Sequence, residues 1–451
     1  RDAQESRGLG DVYKRQVKRG IVAMLAGTML MSLAGCGNSG TANSDKSTEA
    51  TQEESSAGES KKTEGVTIKF QQWWGGELPD GYLQKICDDY EAATGNKVEL
   101  LTAPWADTKT AITAGATNGT IADVLSIDGA WLAEFADMGI LTDLSTVGVK
   151  LDLASDVWKV KDTDYVVPIL NFAYPMYANM DILEKSGVEK IPTTWTELEQ
   201  ACEKIKAAGY SAFALNLGTT NANGIQNVFM GTGWASGITL KDKDGKYVTK
   251  DNKELASLAE MYKKLYDSGV LYPGMSTLEE AEMTSNFAAG NCAFTVASAA
   301  TMSQFEKLNF KAATIPVKDG YTDKSGICYA SWAVGISESC KNKEAAAEFI
   351  NFLLGGKDGK DGSASAGLAS TMSAFPNSKV ATPDYSSAPK QFQEYYEEYK
   401  KNYVINEFIG LANASDVMTS MTNDLVMYLE GDMEVNKMLE NWQNYLDNAG
   451  K

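Results

Sequence analysis

The chain has 451 residues, of which 43% are hydrophobic and 22% are charged, a composition typical of a soluble globular protein with two or three domains. Its net charge of −19 argues against binding to nucleic acid or to anionic lipid headgroups. The sequence contains no histidine, which excludes Ser-His-Asp and Cys-His catalysis and the usual zinc ligand sets, whereas catalysis by paired carboxylates stays open.

The N-terminal segment, residues 1–35, is predicted to be a signal peptide. Basic residues precede an apolar stretch at 21–33 that is too short to span a bilayer. The stretch ends in "LAGC", which resembles the lipobox of bacterial lipoproteins and implies lipidation of Cys36 as the first mature residue. An ordinary secretory signal with an incidental cysteine is the alternative. Residues 1–16 fit no signal peptide and are expected to arise from upstream translation or to be artefactual.

Residues 36–64 are predicted to form a disordered linker. They are rich in Ser, Thr, Glu and Gly and contain almost no apolar side chains, so they cannot bury enough surface to order themselves. A random coil of this length spans about 30 Å root-mean-square. With a lipid on Cys36, the linker would tether a folded body to the membrane without any membrane-spanning helix.

The folded body begins with "VTIKFQQWWGG", residues 66–76. Val66, Ile68 and Phe70 alternate with polar residues, which predicts a strand. Trp73 and Trp74 follow directly before a Gly-Gly pair that cannot continue this strand. We expect these two rings to lie at the mouth of a loop and to face solvent and ligand rather than a core.

Strands and amphipathic helices alternate from there on, which predicts an α/β fold. The clearest elements are a helix with Leu83, Ile86, Cys87 and Tyr90 on one face, a buried strand at 124–127 followed by a helix, a helix that opens with a capping box from Thr194 to Glu197, and a helix in "NKEAAAEFINFLLGG".

Three features that suggest chemistry have simpler explanations. "KDKDG" at 241–245 lacks the later ligands of a calcium loop and is predicted to be a hairpin turn. "GGKDGKDG" at 355–362 lacks the GK[ST] of a phosphate loop. No cysteine belongs to a CxxC pair, and Cys87 and Cys202 fall on apolar helix faces, which predicts buried thiols. We therefore expect no metal site and no cofactor.

Four segments in order resemble the extracellular solute-binding proteins of ABC transporters, in the family 1 group typified by maltose-type sugar binders. They are "IADVLSIDGAWLAEFADMGILTDL", "YPMYANMDILEKSGVEKIPTTWTEL", "FAAGNCAFTVASAATM" and "SWAVGISESCKNKEAAAEFINFLL". The sequence departs from the family pattern at Ala122 and Ile191, where the family has proline, and at 297–300, which lacks the family's Gly and Trp.

The resemblance implies a two-lobed α/β fold of the periplasmic-binding-protein type II class, with hinge crossings and an interlobe cleft. We place the crossings near 171–175, 327–333 and 371–376. Lobe 1 is then expected to comprise residues 65–173 and 333–372, and lobe 2 residues 175–328 and 376–451. Ligands of open α/β sheets bind beyond the carboxyl ends of the strands, which here is the cleft.

A sugar ring needs aromatic planes for its C–H faces and polar side chains for its hydroxyls. On position in the sequence, the expected ligand-binding residues are Trp73, Trp74, Glu77, Asp128, Trp131, Asn216, Trp234 and Trp332. Trp234 is included because glycines flank it, as they would flank an exposed loop aromatic. Tyr174 and Tyr177 are expected to pack near a hinge, and three further tryptophans are expected to be structural: Trp158, Trp195 and Trp442.

The expected function is non-enzymatic capture of a sugar or oligosaccharide by a monomeric lipoprotein on the extracellular face of the bacterial cytoplasmic membrane, with delivery to the permease subunits of an ABC importer. One alternative keeps the fold but binds a peptide, an amino acid or a polyamine through carboxylates. A second is a surface glycoside hydrolase or lyase with two facing carboxylates. A third is a sensory role, in which the bound form signals to a receptor.

Overall fold

The structure is a computed structural model that describes residues 65–450. The predicted signal peptide, the Cys36 lipidation site and the linker lie outside the described residues. The strands are β1 Thr67–Gln72, β2 Lys97–Thr102, β3 Val124–Ile127, β4 Trp158–Val160, β5 Thr163–Ala173, β6 Met176–Asn179, β7 Ser211–Ala214, β8 Cys292–Val296, β9 Phe310–Ala313, β10 Gly326–Ile336, β11 Phe375–Pro376 and β12 Tyr403–Ile405.

Helices surround these strands. The α-helices are α1 Tyr82–Thr94, α2 Trp105–Asn118, α3 Leu132–Asp137, α4 Met180–Lys185, α5 Trp195–Ala207, α6 Gly231–Ala235, α7 Lys253–Asp267, α8 Glu280–Ala288, α9 Lys343–Gly355, α10 Ser363–Met372, α11 Lys390–Tyr399, α12 Ala414–Glu430 and α13 Val435–Asn448. A π-helix covers Ile225–Met230, and 3-10 helices cover Trp74–Gly76, Leu144–Thr146, Leu151–Leu153 and Ala299–Phe305.

The strands form two separate sheets. The larger sheet has the order β11-β5-β10-β3-β1-β2, with β12 paired to β10 and β4 paired to β5. In it, β1 runs parallel to β2 and β3, whereas β10 runs antiparallel to β3 and β5. The smaller sheet has the order β7-β8-β6-β9. The mixed α/β class predicted from the sequence is confirmed.

The chain passes from the larger sheet to the smaller between β5 and β6, through Tyr174 and Pro175. Strand β10 is long, and its two ends have different partners. Its first residues, 326–328, pair with β12, and its later residues pair with β5 and β3. Each sheet also packs against its own large cluster of buried apolar side chains. These connections place the carboxyl ends of several strands near the linking segments.

The elements predicted most clearly from hydrophobic spacing are confirmed. Leu83, Ile86, Cys87 and Tyr90 are the buried residues of α1, and this helix ends at Gly95, whose φ of 85° is left-handed. All four residues of β3 are buried. The thiols of Cys87 and Cys202 are buried and free, as predicted.

The predicted capping box at the start of α5 forms only in part. The Thr194 side chain accepts a hydrogen bond from the Glu197 backbone N–H at 3.3 Å. The Glu197 carboxylate does not return to the Thr194 backbone. It accepts instead from the backbone and hydroxyl of Thr193 and from Lys190. The reciprocal bond therefore shifts by one residue, to Thr193.

No helix between residues 65 and 450 combines the length and the apolar composition needed to cross a bilayer.

Candidate ligand-binding site

Several predicted site residues directly follow the carboxyl ends of strands. Trp73 follows β1, the segment from Asp128 to Trp131 follows β3, and Asn216 lies two residues after β7. β1 and β3 belong to the larger sheet and β7 to the smaller. Strand ends of this kind are where open α/β sheets bind ligands, so both sheets supply candidate ligand-binding residues.

Tyr174 lies in the segment between β5 and β6, which links the two sheets. Its side chain is buried, and this burial raises the pKa of its hydroxyl well above the usual value. The carboxyl groups of Glu280, Asp128 and Glu77 add to this effect by their charge. The charges of three acids from different parts of the fold therefore act on one phenol.

The aromatic side of the site is a packed cluster of indoles. Trp74 stacks on Trp332 with ring centroids 5.1 Å apart and planes 8° apart, and it makes an edge-to-face contact with Phe70 at 5.2 Å. Trp73 lies 5.8 Å from Trp131 in an edge-to-face arrangement. Stacked and edge-to-face pairs at these distances stabilise each other beyond their buried area.

The expectation that Trp73 and Trp74 face solvent is wrong in this structure. Only 4% of Trp73 and none of Trp74 is exposed. The reason is that each ring finds another aromatic ring within 6 Å, so the loop after β1 folds back onto the larger sheet. Trp131 and Trp332 are buried in the same cluster, so the four rings form one wall rather than separate platforms.

Glu77 ends the loop that carries the two tryptophans. The residue is exposed as a whole, but its carboxyl group accepts a hydrogen bond from the Trp332 side chain. Loss of water around this carboxyl raises its pKa to about 7, and the hydrogen bond from Trp332 only partly opposes that rise. Glu77 and Trp332, both predicted from the sequence, are thus brought together.

Asp128 is held by two donors at the end of β3. It accepts hydrogen bonds from the Trp105 indole N–H at 3.1 Å and from the Ala130 backbone N–H at 2.9 Å. Burial raises the pKa of its carboxyl, while these bonds and the charge of Lys109 oppose the rise. Trp105 stacks on Trp131 and is only half-buried. Sequence reasoning missed Trp105, although it follows β2 as Trp73 follows β1.

On the side of the smaller sheet, a chain of amide groups leads from Asn216 to Glu280. The Asn216 amide donates to the Asn223 side-chain oxygen at 3.1 Å, and the Asn223 amide donates to the Glu280 carboxylate. Asn227, in the π-helix, reaches the same carboxylate at 3.4 Å. π-helical turns occur often at functional sites. The side-chain oxygen of Asn216 is buried and has no hydrogen-bond donor.

Gly224 is required for this arrangement. A Cβ at this position would lie 1.5 Å from the Asn216 carbonyl oxygen, so no larger residue fits without moving the backbone. Glu280, Asn223 and Asn227 were not found by sequence reasoning. The signal that could have found Asn223 is the run "NANG" at 221–224, polar and glycine-containing, in the loop that follows β7.

The expectation of an exposed Trp234 is also wrong. Trp234 lies in helix α6, not in a loop, and none of it is exposed. Its indole N–H donates to the Glu407 carboxylate at 2.7 Å, and its ring packs against Phe408. The flanking glycines have a packing role instead: a Cβ at Gly233 would lie 2.9 Å from the Leu258 side chain. Trp234 is an interior anchor of the C-terminal segment and drops out of the site.

The buried carboxyl of Glu280 predicts a pH-dependent stability. Burial raises its pKa from 4.5 to about 7, so between these values the folded state holds a proton that the unfolded chain has released. Raising the pH through this range must therefore lower the free energy of unfolding. We expect the melting temperature to fall between pH 5 and pH 8, and to fall by about 2–5 °C less in Glu280→Gln.

Thermal unfolding at four pH values measures this difference, with Glu260→Gln as the control. Glu260 is an exposed residue of α7, and its removal changes the net charge by the same amount. Melting temperatures that fall equally with pH in Glu280→Gln and in the wild type would contradict this prediction.

The comparison with known families matches this architecture. The model of the family described as "Bacterial extracellular solute-binding protein" matches residues 75–360, more than half of the chain. The chain belongs to this family. The resemblance found in the sequence is thereby confirmed, and this solute-binding protein has relatives and structural neighbours that are themselves binding proteins.

Two curated relatives show the extent of the match. A Brucella abortus protein named as a binding protein is 25% identical over 282 residues, which are 60% of this chain and 68% of the relative. A Deinococcus radiodurans protein named as an ABC transporter-binding protein is 24% identical over 303 residues, 61% of this chain and 69% of the relative. Both alignments cover more than half of the solute-binding protein.

Two solved structures share the fold. The cyclic α-maltosyl-1,6-maltose binding protein of Arthrobacter globiformis has a TM-score of 0.71 and 19% identity, over 85% of this chain and 99% of its own. The maltose-bound protein of T. maritima has a TM-score of 0.66 and 22% identity, over 85% and 99%. The predicted two-lobed binding-protein fold is confirmed.

Proposed function

We propose that this solute-binding protein captures a sugar or oligosaccharide between its two lobes and delivers it to the permease of an ABC importer. The observation that carries the proposal is that strands of both sheets end in candidate ligand-binding residues. The larger sheet contributes the indole pairs Trp74–Trp332 and Trp73–Trp131, and the smaller sheet contributes the polar chain from Asn216 to Glu280. Rings supply the planes and polar groups the hydrogen bonds that a sugar needs.

The relatives support both parts of the proposal. Solved neighbours are named for the sugars that they bind, and the Deinococcus relative is named for an ABC transporter. A ligand that contacts both lobes would stabilise the form in which they close on it. The protein would act without catalysis, as a monomer, with lobe 1 formed by 65–173 and 333–372 and lobe 2 by 175–328 and 376–451.

The N-terminal segment would anchor the protein beside the permease. A lipid on Cys36 would hold the protein at the outer face of the cytoplasmic membrane, and the segment 36–64 would give the folded body room to move. The ligand-binding residues that we retain are Trp73, Glu77, Asp128, Trp131, Asn216 and Trp332, with Trp105, Tyr174, Asn223, Asn227 and Glu280 added. Trp74, of which no part is exposed, supports Trp332 by stacking on it.

Thermal-shift screening of the full-length protein tests the proposal. The panel contains neutral and amino oligosaccharides, amino acids, short peptides and polyamines. We expect carbohydrates to raise the melting temperature, because a ligand at 100 times its Kd stabilises the folded state by about 2.7 kcal/mol. The half-buried Trp105 is the best aromatic to remove, since Trp105→Ala should lose most of the ligand shift at a modest cost in stability.

Tyr210→Ala is the matched control, because Tyr210 is an exposed aromatic outside the candidate site. It should keep the full ligand shift. Stabilisation by peptides, amino acids or polyamines but by no carbohydrate would favour the alternative cargo instead. Turnover of an oligosaccharide by the purified protein would show a glycoside hydrolase and would overturn the transport proposal.

A further inference from the structure

A short C-terminal segment, residues 407–411, lies against the loop formed by residues 128–131. The Gly410 N–H donates to the Gly129 carbonyl at 3.2 Å. Gly410 has a left-handed φ of 72°, and a Cβ at this position would lie 3.2 Å from the Lys159 carbonyl oxygen, so the segment also comes close to β4. The C-terminal part of the chain therefore contacts the loop that follows β3.

Gly129 is the tightest point of this contact. A Cβ at Gly129 would lie 2.7 Å from Cγ1 of Ile409 and 3.5 Å from the Trp158 ring. The φ of Gly129 lies outside the left-handed region, so its backbone conformation is open to residues with a side chain. The requirement for glycine at this position therefore comes from the Ile409 side chain and not from a turn.

The same segment is anchored on its other side to a different core. Phe408 is buried in the apolar cluster that packs against the smaller sheet, where its ring lies 6.2 Å from that of Trp234. The Glu407 carboxylate accepts a hydrogen bond from the same indole. Ile409, by contrast, packs against the apolar cluster of the larger sheet. Consecutive residues of one short segment therefore contact two separate cores.

The loop beside this segment carries candidate ligand-binding residues. Asp128 directly precedes Gly129, and its carboxylate accepts hydrogen bonds from the Ala130 N–H at 2.9 Å and from the Trp105 indole N–H at 3.1 Å. Trp105 in turn stacks on Trp131, the last residue of the loop. A displacement of Gly129 would therefore change the position of Asp128 and, through its hydrogen bond, that of the half-buried Trp105.

We propose that Ile409 is a positioning residue, which holds the loop 128–131 in the orientation that binds ligand. The inference rests on the proposed carbohydrate-binding function and adds a residue that acts on the site through Gly129. Ile409 fills the space beside Gly129, and Phe408 fixes the segment to the other core. The affinity for a ligand therefore depends on a contact between the C-terminal segment and this loop.

Hydrogen–deuterium exchange of the full-length protein without ligand tests the positioning. Gly129→Ala places a methyl group where Ile409 lies, so we expect the backbone amides of Ala130 and Trp131 to exchange at least about tenfold faster than in the wild type. Ile409→Ala leaves a cavity beside the loop and should also speed their exchange. In the double variant the new methyl group occupies the vacated space, so exchange should be slower than in Gly129→Ala alone.

Two variants serve as matched controls for the exchange measurement. Val404→Ala shortens an exposed side chain of β12 in the same part of the chain. Gly76→Ala adds a methyl group at a position where a Cβ would meet no atom within 4 Å. Both should leave the exchange of Ala130 and Trp131 unchanged. The melting temperature without ligand shows whether each variant is folded, and Ile409→Ala alone decides the test if Gly129→Ala does not fold.

Carbohydrate binding provides the second measurement. The probes for calorimetric titration are the neutral trisaccharides maltotriose, cellotriose and N-acetylchitotriose. For each probe that binds the wild type, Gly129→Ala should weaken binding by about tenfold or more, because Asp128 and Trp105 are displaced. Adding Ile409→Ala to this variant should recover most of the lost affinity. Recovery by a second deletion is not expected of a residue that only adds stability.

The outcomes separate the two proposals. Unchanged exchange of the loop in both Gly129→Ala and Ile409→Ala overturns the inference, whatever the protein binds. Faster exchange in Gly129→Ala that Ile409→Ala does not reduce also overturns it, because the methyl group would then collide with another group. Faster exchange with unchanged affinity for a bound trisaccharide overturns the role in ligand binding. Failure of every carbohydrate in the thermal-shift panel counts against the proposed function, and the exchange rates then decide the positioning alone.

Discussion

Replacement of Trp74 by alanine is expected to lower the free energy of unfolding by about 3–5 kcal/mol, the usual cost of deleting a fully buried large aromatic side chain. No part of Trp74 is exposed, and its ring contacts Trp332 on one side and Phe70 on another. Its indole N–H has no hydrogen-bond acceptor, so the loss comes from apolar burial and ring contacts alone.

Urea denaturation of the unliganded protein measures this loss. Trp105→Ala is the matched control, because it removes the same side chain from a half-buried position, where the expected cost is about 1 kcal/mol. If both variants unfold at the wild-type urea concentration, the ring of Trp74 faces solvent, as the sequence alone suggested. A much larger loss for Trp74→Ala than for Trp105→Ala supports the interior stacking.

The comparison of these tryptophans shows how far the sequence could predict the site. The alternation of Val66, Ile68 and Phe70 correctly predicted a strand, and the Gly-Gly pair correctly predicted its end. The position of Trp73 and Trp74 at a strand end is therefore a local property. Their exposure is not, because Trp74 stacks on Trp332, which is distant in the chain and arrives only when β10 joins the larger sheet.

The polar residues of the site follow the same distinction. Asp128 and Asn216 could be proposed because each lies just after a strand that is recognisable from its own residues. Glu280 begins helix α8, and Asn227 lies in a π-helix, neither of which hydrophobic spacing could identify. The Asn227 amide reaches the Glu280 carboxylate only through the packing of separate segments, so a single sequence holds no local signal for their contact.

Trp234 illustrates the opposite error. Glycines on both sides suggested an exposed loop, but small residues also allow helices to approach closely, and here they let α6 pack in the interior. The carboxylate that satisfies its indole, Glu407, lies more than 150 residues away in the C-terminal part of the chain. The interior role of this tryptophan thus depends on a partner that no local pattern indicates.

The C-terminal segment around Glu407 is bonded to the larger sheet. β12 pairs with the start of β10, the Asn406 amide donates to the Tyr329 carbonyl at 2.9 Å, and the Gly410 N–H donates to the Gly129 carbonyl at 3.2 Å. Gly129 follows Asp128 in the candidate site. Glu407 therefore helps to hold this segment beside the candidate ligand-binding residues.

Glu407→Ala is accordingly expected to destabilise the protein by at least about 3 kcal/mol. Only 8% of Glu407 is exposed. Its carboxylate accepts hydrogen bonds from the Trp234 indole N–H and the Leu240 backbone N–H, both at 2.7 Å, and from the Lys241 backbone N–H at 2.9 Å. Alanine would leave three donors without an acceptor, each at a cost of about 1–3 kcal/mol. Urea denaturation followed by tryptophan fluorescence measures the loss.

Two further variants test the reason for that loss. Glu407→Gln keeps one side-chain oxygen and should lose less stability than Glu407→Ala, because at least one donor stays satisfied. Glu397→Ala removes an exposed glutamate whose ion pair with Lys400 is worth at most about 1 kcal/mol, so it should unfold nearly as the wild type does. Equal destabilisation by all three variants would show that net charge, and not the three hydrogen bonds, governs the stability of this segment.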